Sequence, residues 1–334
     1  MGGYAIEVEG LVKRFGRVYA LRGLSFRVPR GETYGLLGPN GAGKTTTIRA
    51  IAGALRPTRG RVSVLGLDPS REPLRVKALV GVVPELPSLF PELTVRENLL
   101  FIARVYGIPS GEAERRMREL LEFMGLEAVA SRRYGQLSKG LKRRADIAAA
   151  LLHDPEVVLL DEPTGGLDVV AASRLRERLA ALRRSGKTIL LSTHNIGEAA
   201  ELSDRLLVIY RGAKLVEGTP SMLRRALSAR RITVYYRAGG SEVEASRLEE
   251  ALQEALASYD PSGLRVAPGS VSVTVKRALD ALWAIRETLE SLGLKVEDVE
   301  VLPPSWEDVL LHHIEEAEEG GRTCRCGVGG SSAW

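Results

Sequence analysis

Cysteine is close to absent from this chain: Cys324 and Cys326 are its only two, and both fall in a glycine-rich C-terminal stretch. That excludes a fold built on disulfides. With no other ligand-like residues beside it, the Cys-x-Cys pair is treated as incidental. Long apolar runs are missing too. No window approaches about 18 uncharged apolar residues, the length a membrane-spanning helix needs. The opening Met1-Gly-Gly-Tyr-Ala-Ile-Glu7 has neither the basic region nor the apolar core of a signal peptide. No internal repeat and no heptad run is present. Together these absences predict a chain made and kept in the cytosol, so that work at a membrane would need another protein as its anchor.

What is present is ordinary in amount and uneven in distribution. Hydrophobic residues make up 44% and charged residues 27% of 334 positions, which suits a soluble protein of two domains with ample core. The net charge of +5 hides an asymmetry. Residues 231–334 carry ten Lys/Arg against eighteen Asp/Glu, and residues 1–230 carry 37 against 24. A basic half of this size suits a nucleotide polyanion, an anionic membrane face or nucleic acid, and it also suits a plain solvated surface.

The most informative stretch lies in the basic half. Gly38-Pro-Asn-Gly-Ala-Gly-Lys44-Thr45 fits G-x-x-x-x-G-K-[ST] at every fixed position. An apolar run, Tyr34–Leu37, precedes it as a buried strand, and Thr45–Leu55 follows as a helix. Gly38, Gly41 and Gly43 leave backbone N–H groups free to wrap a phosphate. The helix N-terminus adds its dipole, Lys44 adds a point charge, and the Thr45 hydroxyl is a ligand for Mg²⁺.

Strands are predicted at Ile6–Glu9, Leu24–Val28, Arg61–Leu65 and Leu79–Val83, and a mainly helical insertion spans about residues 88–152. Glu156–Glu162 is a continuous apolar run ending in two carboxylates, and Thr188–Thr193 and Arg205–Tyr210 repeat the apolar pattern. A crossover helix at 170–184 links the first two runs. This alternation predicts a parallel α/β core. Beyond residue 230 the predicted order β-α-β-β-α-β is ferredoxin-like. A last amphipathic helix, Trp306–Glu316, and a flexible Gly/Ser-rich tail, 319–334, complete the chain. The expected domains are therefore 1–229, 230–318 and the tail.

Asp161 and Glu162 end a buried strand at the edge where open α/β sheets bind ligands. One carboxylate there can hold Mg²⁺ and the other can deprotonate an attacking water. At this point the ordered set of motifs resembles the ATP-binding subunits of ABC transporters over residues 4–228, a P-loop NTPase core with a helical signature subdomain. Leu137-Ser-Lys-Gly-Leu-Lys-Arg-Arg144 resembles the family signature, Val158–Pro163 the Walker B strand, Gly166-Leu-Asp168 the D-loop and Ser192-Thr-His194 the switch histidine.

The resemblance implies roles. Gly38, Asn40, Gly41, Gly43, Lys44, Thr45 and Thr46 would bind the phosphates of ATP with its Mg²⁺. Asp161 would support the metal, Glu162 would be the general base, and His194 would contact the γ-phosphate. Phe15 would stack on adenine. Asp168 would report across a dimer interface. Ser138 and Gly140 would close on ATP held by a second ATP-binding subunit, so that ATP binding joins two subunits and hydrolysis parts them.

Three positions depart from the family pattern. Glu85 stands where the family has glutamine near the metal, and Lys139 and Leu141 replace Gly and Gln in the signature. The Lys139 change and Pro304–Leu311, which is similar to a Pro-Ser-Leu-Glu-Asp-Val-Phe motif, point to the exporter branch that works with type-2 permeases. The expected function is ATP hydrolysis driving a separate polytopic permease on the inner face of the cell membrane, in export of drug, lipid, ion or polysaccharide, with no direct nucleic-acid partner. The alternative is a soluble ABC ATPase acting on the ribosome or nucleic acid.

Overall fold

The structure is a computed structural model and describes residues 3–226, 230–238, 244–259 and 261–302. Cys324, Cys326, the Pro304–Leu311 motif, the predicted last helix and the tail lie outside the described residues. The chain divides into two units between Thr219 and Pro220.

The first unit runs β1 (Tyr4–Phe15), β2 (Val18–Pro29), β3 (Thr33–Leu37), α1 (Lys44–Ile51), β4 (Arg59–Val64), α2 (Pro73–Leu79), β5 (Val80–Val83), α3 (Val95–Val105), α4 (Ser110–Met124), α5 (Lys139–Leu151), β6 (Val157–Asp161), α6 (Val169–Arg184), β7 (Thr188–Thr193), α7 (Ile196–Leu202), β8 (Arg205–Tyr210) and β9 (Ala213–Gly218). Its main sheet has the order β5-β6-β7-β3-β8-β9, parallel except for the last strand. A second, antiparallel sheet has the order β2-β1-β4. That separate sheet was not foreseen, and β1 runs past the predicted Ile6–Glu9 to Phe15 by absorbing bulges in its pairing with β2.

Continuous apolar runs become central strands because both faces of the sheet are covered. In β6, Val157 and Leu159 join the core shared with α1 and the antiparallel sheet. Their neighbours Val158 and Leu160 join the core shared with α3, α4 and α5. The two-residue period of a strand thus feeds two cores from one run. The helical insertion is locally well specified. Thr94 caps α3 in a full capping box with Glu97, and Gly125 ends α4 in the left-handed conformation.

The register places the functional loops. Leu37 pairs with Thr193 and Asp161 with Ser192, so β3, β6 and β7 end level with one another. The glycine loop leaves β3 at this edge, Glu162 follows β6 and His194 follows β7.

The second unit contains α8 (Pro220–Ala226), β10 (Arg230–Ala238), α9 (Ala245–Leu256), β11 (Ser262–Ala267), β12 (Ser270–Val275), α10 (Ala278–Ser291) and β13 (Leu294–Leu302). Its antiparallel sheet has the order β11-β12-β10-β13, the ferredoxin-like order. Leu248, Leu252 and Leu256 of α9 and Ala281, Ile285 and Leu289 of α10 recur every four residues or so and pack on Ile232, Val234, Val271 and Val273.

Candidate active site

A cavity of about 640 Å³ opens at the level strand ends, lined by Asn40, Gly41, Gly43, Lys44, Thr45, Thr46, Glu85, Glu162 and His194 among others. Residues far apart in sequence meet there because β3, β6 and β7 are neighbours in register. Gly38, Asp161, Phe15, Ser138, Gly140 and Asp168 are not among its lining residues. Gly38 and Asp161 lie directly behind it. Phe15 is half-exposed at the end of β1, and the Lys13 ammonium sits 5.0 Å above its ring. Ser138 caps α5 and Asp168 caps α6, each accepting a backbone N–H with its side chain. Gly140 lies in the first turn of α5.

The glycine loop is shaped by contact and by conformation. A Cβ at Gly38 would stand 2.3 Å from the carbonyl oxygen of Ile209, so only glycine lets the loop lie on β8. Gly43 adopts φ 108° at the N-cap of α1, a conformation that other residues reach only under strain. Lys44 is buried, and its Nζ donates to the carbonyls of Gly38 (2.6 Å) and Pro39 (3.2 Å).

A chain of charges crosses the cavity. Lys44 Nζ is 3.2 Å from Glu162 Oε1, and Glu162 Oε2 is 2.9 Å from His194 Nδ1. Glu162 Oε1 has no hydrogen-bond donor of proper geometry. A carboxylate only accepts, so Nδ1 carries the proton in its contact with Glu162 and Nε2 is the nitrogen left over. Glu162 itself has φ 47°, in the left-handed region that a glutamate seldom occupies. Behind it, Asp161 Oδ1 accepts from Thr45 Oγ1 (3.2 Å) and Ser192 Oγ (2.6 Å). Glu198 accepts from Thr193 Oγ1 (2.8 Å) and Thr164 Oγ1 (2.5 Å), which fixes the residues flanking His194 and Glu162.

These residues fit a nucleotide and a metal. Buried Lys44 beside an unsatisfied carboxylate oxygen is a cation ready to exchange partners, and positive-φ glycines open the backbone toward the cavity. Among the described residues no group of three or more His, Cys, Asp or Glu could hold a metal on its own. A donor set of one hydroxyl and one carboxylate, Thr45 and Asp161, suits Mg²⁺, which takes few protein ligands and fills its shell from phosphates and water.

Two participants carried no signal of their own in the sequence. Ser192 was legible as part of Ser192-Thr-His194, but not as the group that bonds Asp161. Arg143 looked like one more basic residue after the signature. It is in fact buried and donates to the carbonyls of Pro84, Asp161 and Pro163. Burial lowers its pKa from the ordinary value, against the raising influence of Asp146 and Asp161.

Fold and site together define a P-loop ATPase of the ATP-binding-cassette type. The ABC transporter family matches residues 21–165. Nod factor export ATP-binding protein I of Burkholderia lata is 47% identical over 218 residues, 65% of this chain and 72% of that protein. Its namesake in Bradyrhizobium diazoefficiens is 46% identical over 223 residues, 67% of this chain and 73% of that protein. Among solved structures, an ATP-binding subunit of an ABC transporter aligns with TM-score 0.61 at 36% identity, over 66% of this chain and 92% of that one. A Clostridium perfringens subunit that is part of an ABC transporter complex aligns with TM-score 0.61 at 30% identity, over 67% of this chain and 94% of that one. This chain belongs to the ABC transporter ATP-binding family, and its activity is ATP hydrolysis coupled to transport.

Proposed function

We propose that this chain is the energy-coupling subunit of an ABC exporter and works as a pair of ATP-binding subunits beneath a polytopic permease on the cytoplasmic face of the membrane. The observation that carries the reading is the charge chain Lys44–Glu162–His194 at the mouth of the glycine loop. ATP enters with its phosphates in the cradle of Gly38, Asn40, Gly41, Gly43, Lys44, Thr45 and Thr46. Thr45 and Asp161, with Glu85 at the rim, hold Mg²⁺, which supplies charge neutralisation at the phosphates when bound. The phosphate draws Lys44 away from Glu162. Glu162 is then free to accept the proton of the attacking water, while His194 Nε2 faces the terminal phosphate. Phe15 stacks on adenine with the face that Lys13 leaves open.

Ser138, Gly140 and Asp168 stand outside their own chain's cavity, which suits contact with nucleotide held by a second copy. Val169 and Val170, just after Asp168, are exposed apolar residues that a partner subunit would cover. A dimeric post-hydrolysis ATP-binding cassette holding ADP and phosphate, 26% identical with TM-score 0.59 over 64% of this chain and 98% of that one, supports the pairing. Leu86, Phe90, Phe101, Val105 and Tyr106 are exposed around the Glu85 loop and α3, with the Phe90 and Phe101 rings in edge contact at 5.2 Å. That apolar surface suits cytoplasmic helices of the permease. The export direction follows the relatives' name and the signature's Lys139.

Affinity purification from native membranes tests the assignment. A polytopic membrane protein is the expected partner, and ribosomal or nucleic-acid material in its place would overturn it.

A further inference from the structure

Glu162 holds a backbone conformation that its side chain disfavours, and such a residue persists only where its surroundings over-determine it. The restraints can be traced peptide by peptide. The Glu162 N–H donates to Ser192 O (3.1 Å) and Ser192 Oγ (3.0 Å). The carbonyl at the other end of that peptide, Asp161 O, accepts from Arg143 Nη2. The Glu162 carbonyl accepts from the Gly165 N–H at 3.0 Å. The next carbonyl, Pro163 O, accepts from Arg143 Nε at 2.9 Å. One guanidinium therefore grips the main chain on both sides of Glu162. A planar fork carries its donors on three separate nitrogens and so spans carbonyls that the single nitrogen of an ammonium would have to reach from one point.

The third bond leads elsewhere. Arg143 Nη1 donates to Pro84 O, the residue before Glu85. One helical turn on, Asp146 Oδ1 accepts from the Ser88 N–H (3.3 Å) and Oγ (3.2 Å), and Tyr134 Oη donates to both Asp146 oxygens at 3.0 Å. Helix α5 is thus fastened to the Glu85 loop on both sides of Glu85. The same helix begins at the signature residue Ser138.

We propose that Arg143 is a positioning residue for hydrolysis: it holds the Glu162 carboxylate at its working angle and ties that angle to the placement of the Glu85 loop. The proposal deepens the reading of Glu162 as general base and rests on it. Displacement of the Glu85 loop, or of α5, pulls on the carbonyls that flank Glu162. The chain thereby has a direct mechanical link between the signature helix, the Glu85 loop and the base.

The test uses the full chain with Arg143→Lys, Arg143→Gln, Glu162→Gln and the Arg143→Lys/Glu162→Gln double variant. Arg143→Lys keeps charge and stem but would have to reach all three carbonyls from one nitrogen. It is expected to lower kcat about 100-fold, the order of effect of a 1 Å misplacement of a reacting group, with ATP affinity within about threefold of the parent. Arg143→Gln should match it. In the Glu162→Gln background, Arg143→Lys is expected to have no further effect on residual turnover, because both changes act through one group. Parental kcat in Arg143→Lys, a loss of ATP affinity equal to the loss of kcat, or additive effects in the double variant would each overturn the proposal. Parental turnover in Glu162→Gln alone would instead remove the base assignment beneath it. Hydrogen exchange on the unaltered chain gives a readout that needs no variant. The Glu162 and Gly165 amides should exchange as slowly as those of β6, and exchange at the rate of an open loop contradicts the clamp.

Discussion

Replacing Gly38 with alanine probes the seating of the phosphate loop. Gly38 does not need its glycine for backbone conformation; it needs the space. The added Cβ would lie 2.3 Å from the Ile209 carbonyl oxygen and 3.1 Å from Ala42 Cβ. Ordinary contact is about 3.5 Å, so one partner must move by about 1 Å. Ile209 is paired within β8 between β3 and β9, so the loop is the part that moves. Overpacking of this kind costs about 1–3 kcal/mol, or a melting temperature lower by about 2–12 °C at 2–4 °C per kcal/mol. The same shift moves the Gly38 and Pro39 carbonyls that orient Lys44 and takes cradle N–H groups out of hydrogen-bonding range. Losing one charge-assisted hydrogen bond, about 1.5–3 kcal/mol, lowers ATP affinity about 10- to 100-fold. Gly41 is the matched control. Nothing lies within 4 Å of its Cβ position, and its φ of +80° makes the penalty conformational, about 1–2 kcal/mol. Calorimetric titration with ATP and thermal melts on both variants check this. ATP affinity within twofold of the parent for Gly38→Ala, or a larger affinity loss for Gly41→Ala, would refute the argument.

His153 stacks on Tyr106 with ring centroids 4.0 Å apart, and burial foremost pushes its pKa below 6.5. The unfolded chain therefore binds a proton that the fold does not in the window between the folded value and 6.5, so stability falls as pH drops through that window. His153→Phe keeps the stack and should flatten the change in urea midpoint between pH 7.5 and 5.5; an unchanged slope would count against a neutral, buried His153. Phe15→Ala should raise the KM for ATP about tenfold, since base–aromatic stacking contributes about 1–3 kcal/mol. An unchanged KM would return Phe15 to a plain surface role.

The parts of this molecule that could be read from sequence are those whose cause is local. The glycine loop, the apolar run into Asp161 and Glu162, and the helical spacing of 95–105 and 110–124 each carry their reason within a dozen residues. Short apolar strands such as β3, β5 and β6 were legible, whereas the shortest helices and one return strand escaped. Helices α2 and α7 are too short for a periodic signal, and β9 returns through Arg211-Gly212, both at positive φ, where an Asn-Gly pair would have announced the hairpin. The ferredoxin-like order in the second unit was legible because β12 alternates and the helices α9 and α10 repeat their apolar residues every four positions or so against one core. The clamp at Arg143 was not legible at all. Its partners are three backbone carbonyls in two remote segments, around residue 84 and at residues 161–163, and carbonyls have no residue type to read.

The central claim is that a nucleotide held by one chain is closed upon by a second, with Glu162 ending the closed state through hydrolysis. Light scattering on Glu162→Gln with ATP and Mg²⁺ tests it most directly. The account predicts two chains per particle with ATP and Mg²⁺, and one chain when Lys44→Ala is added or nucleotide is left out. A particle of one chain under saturating ATP and Mg²⁺ would contradict it.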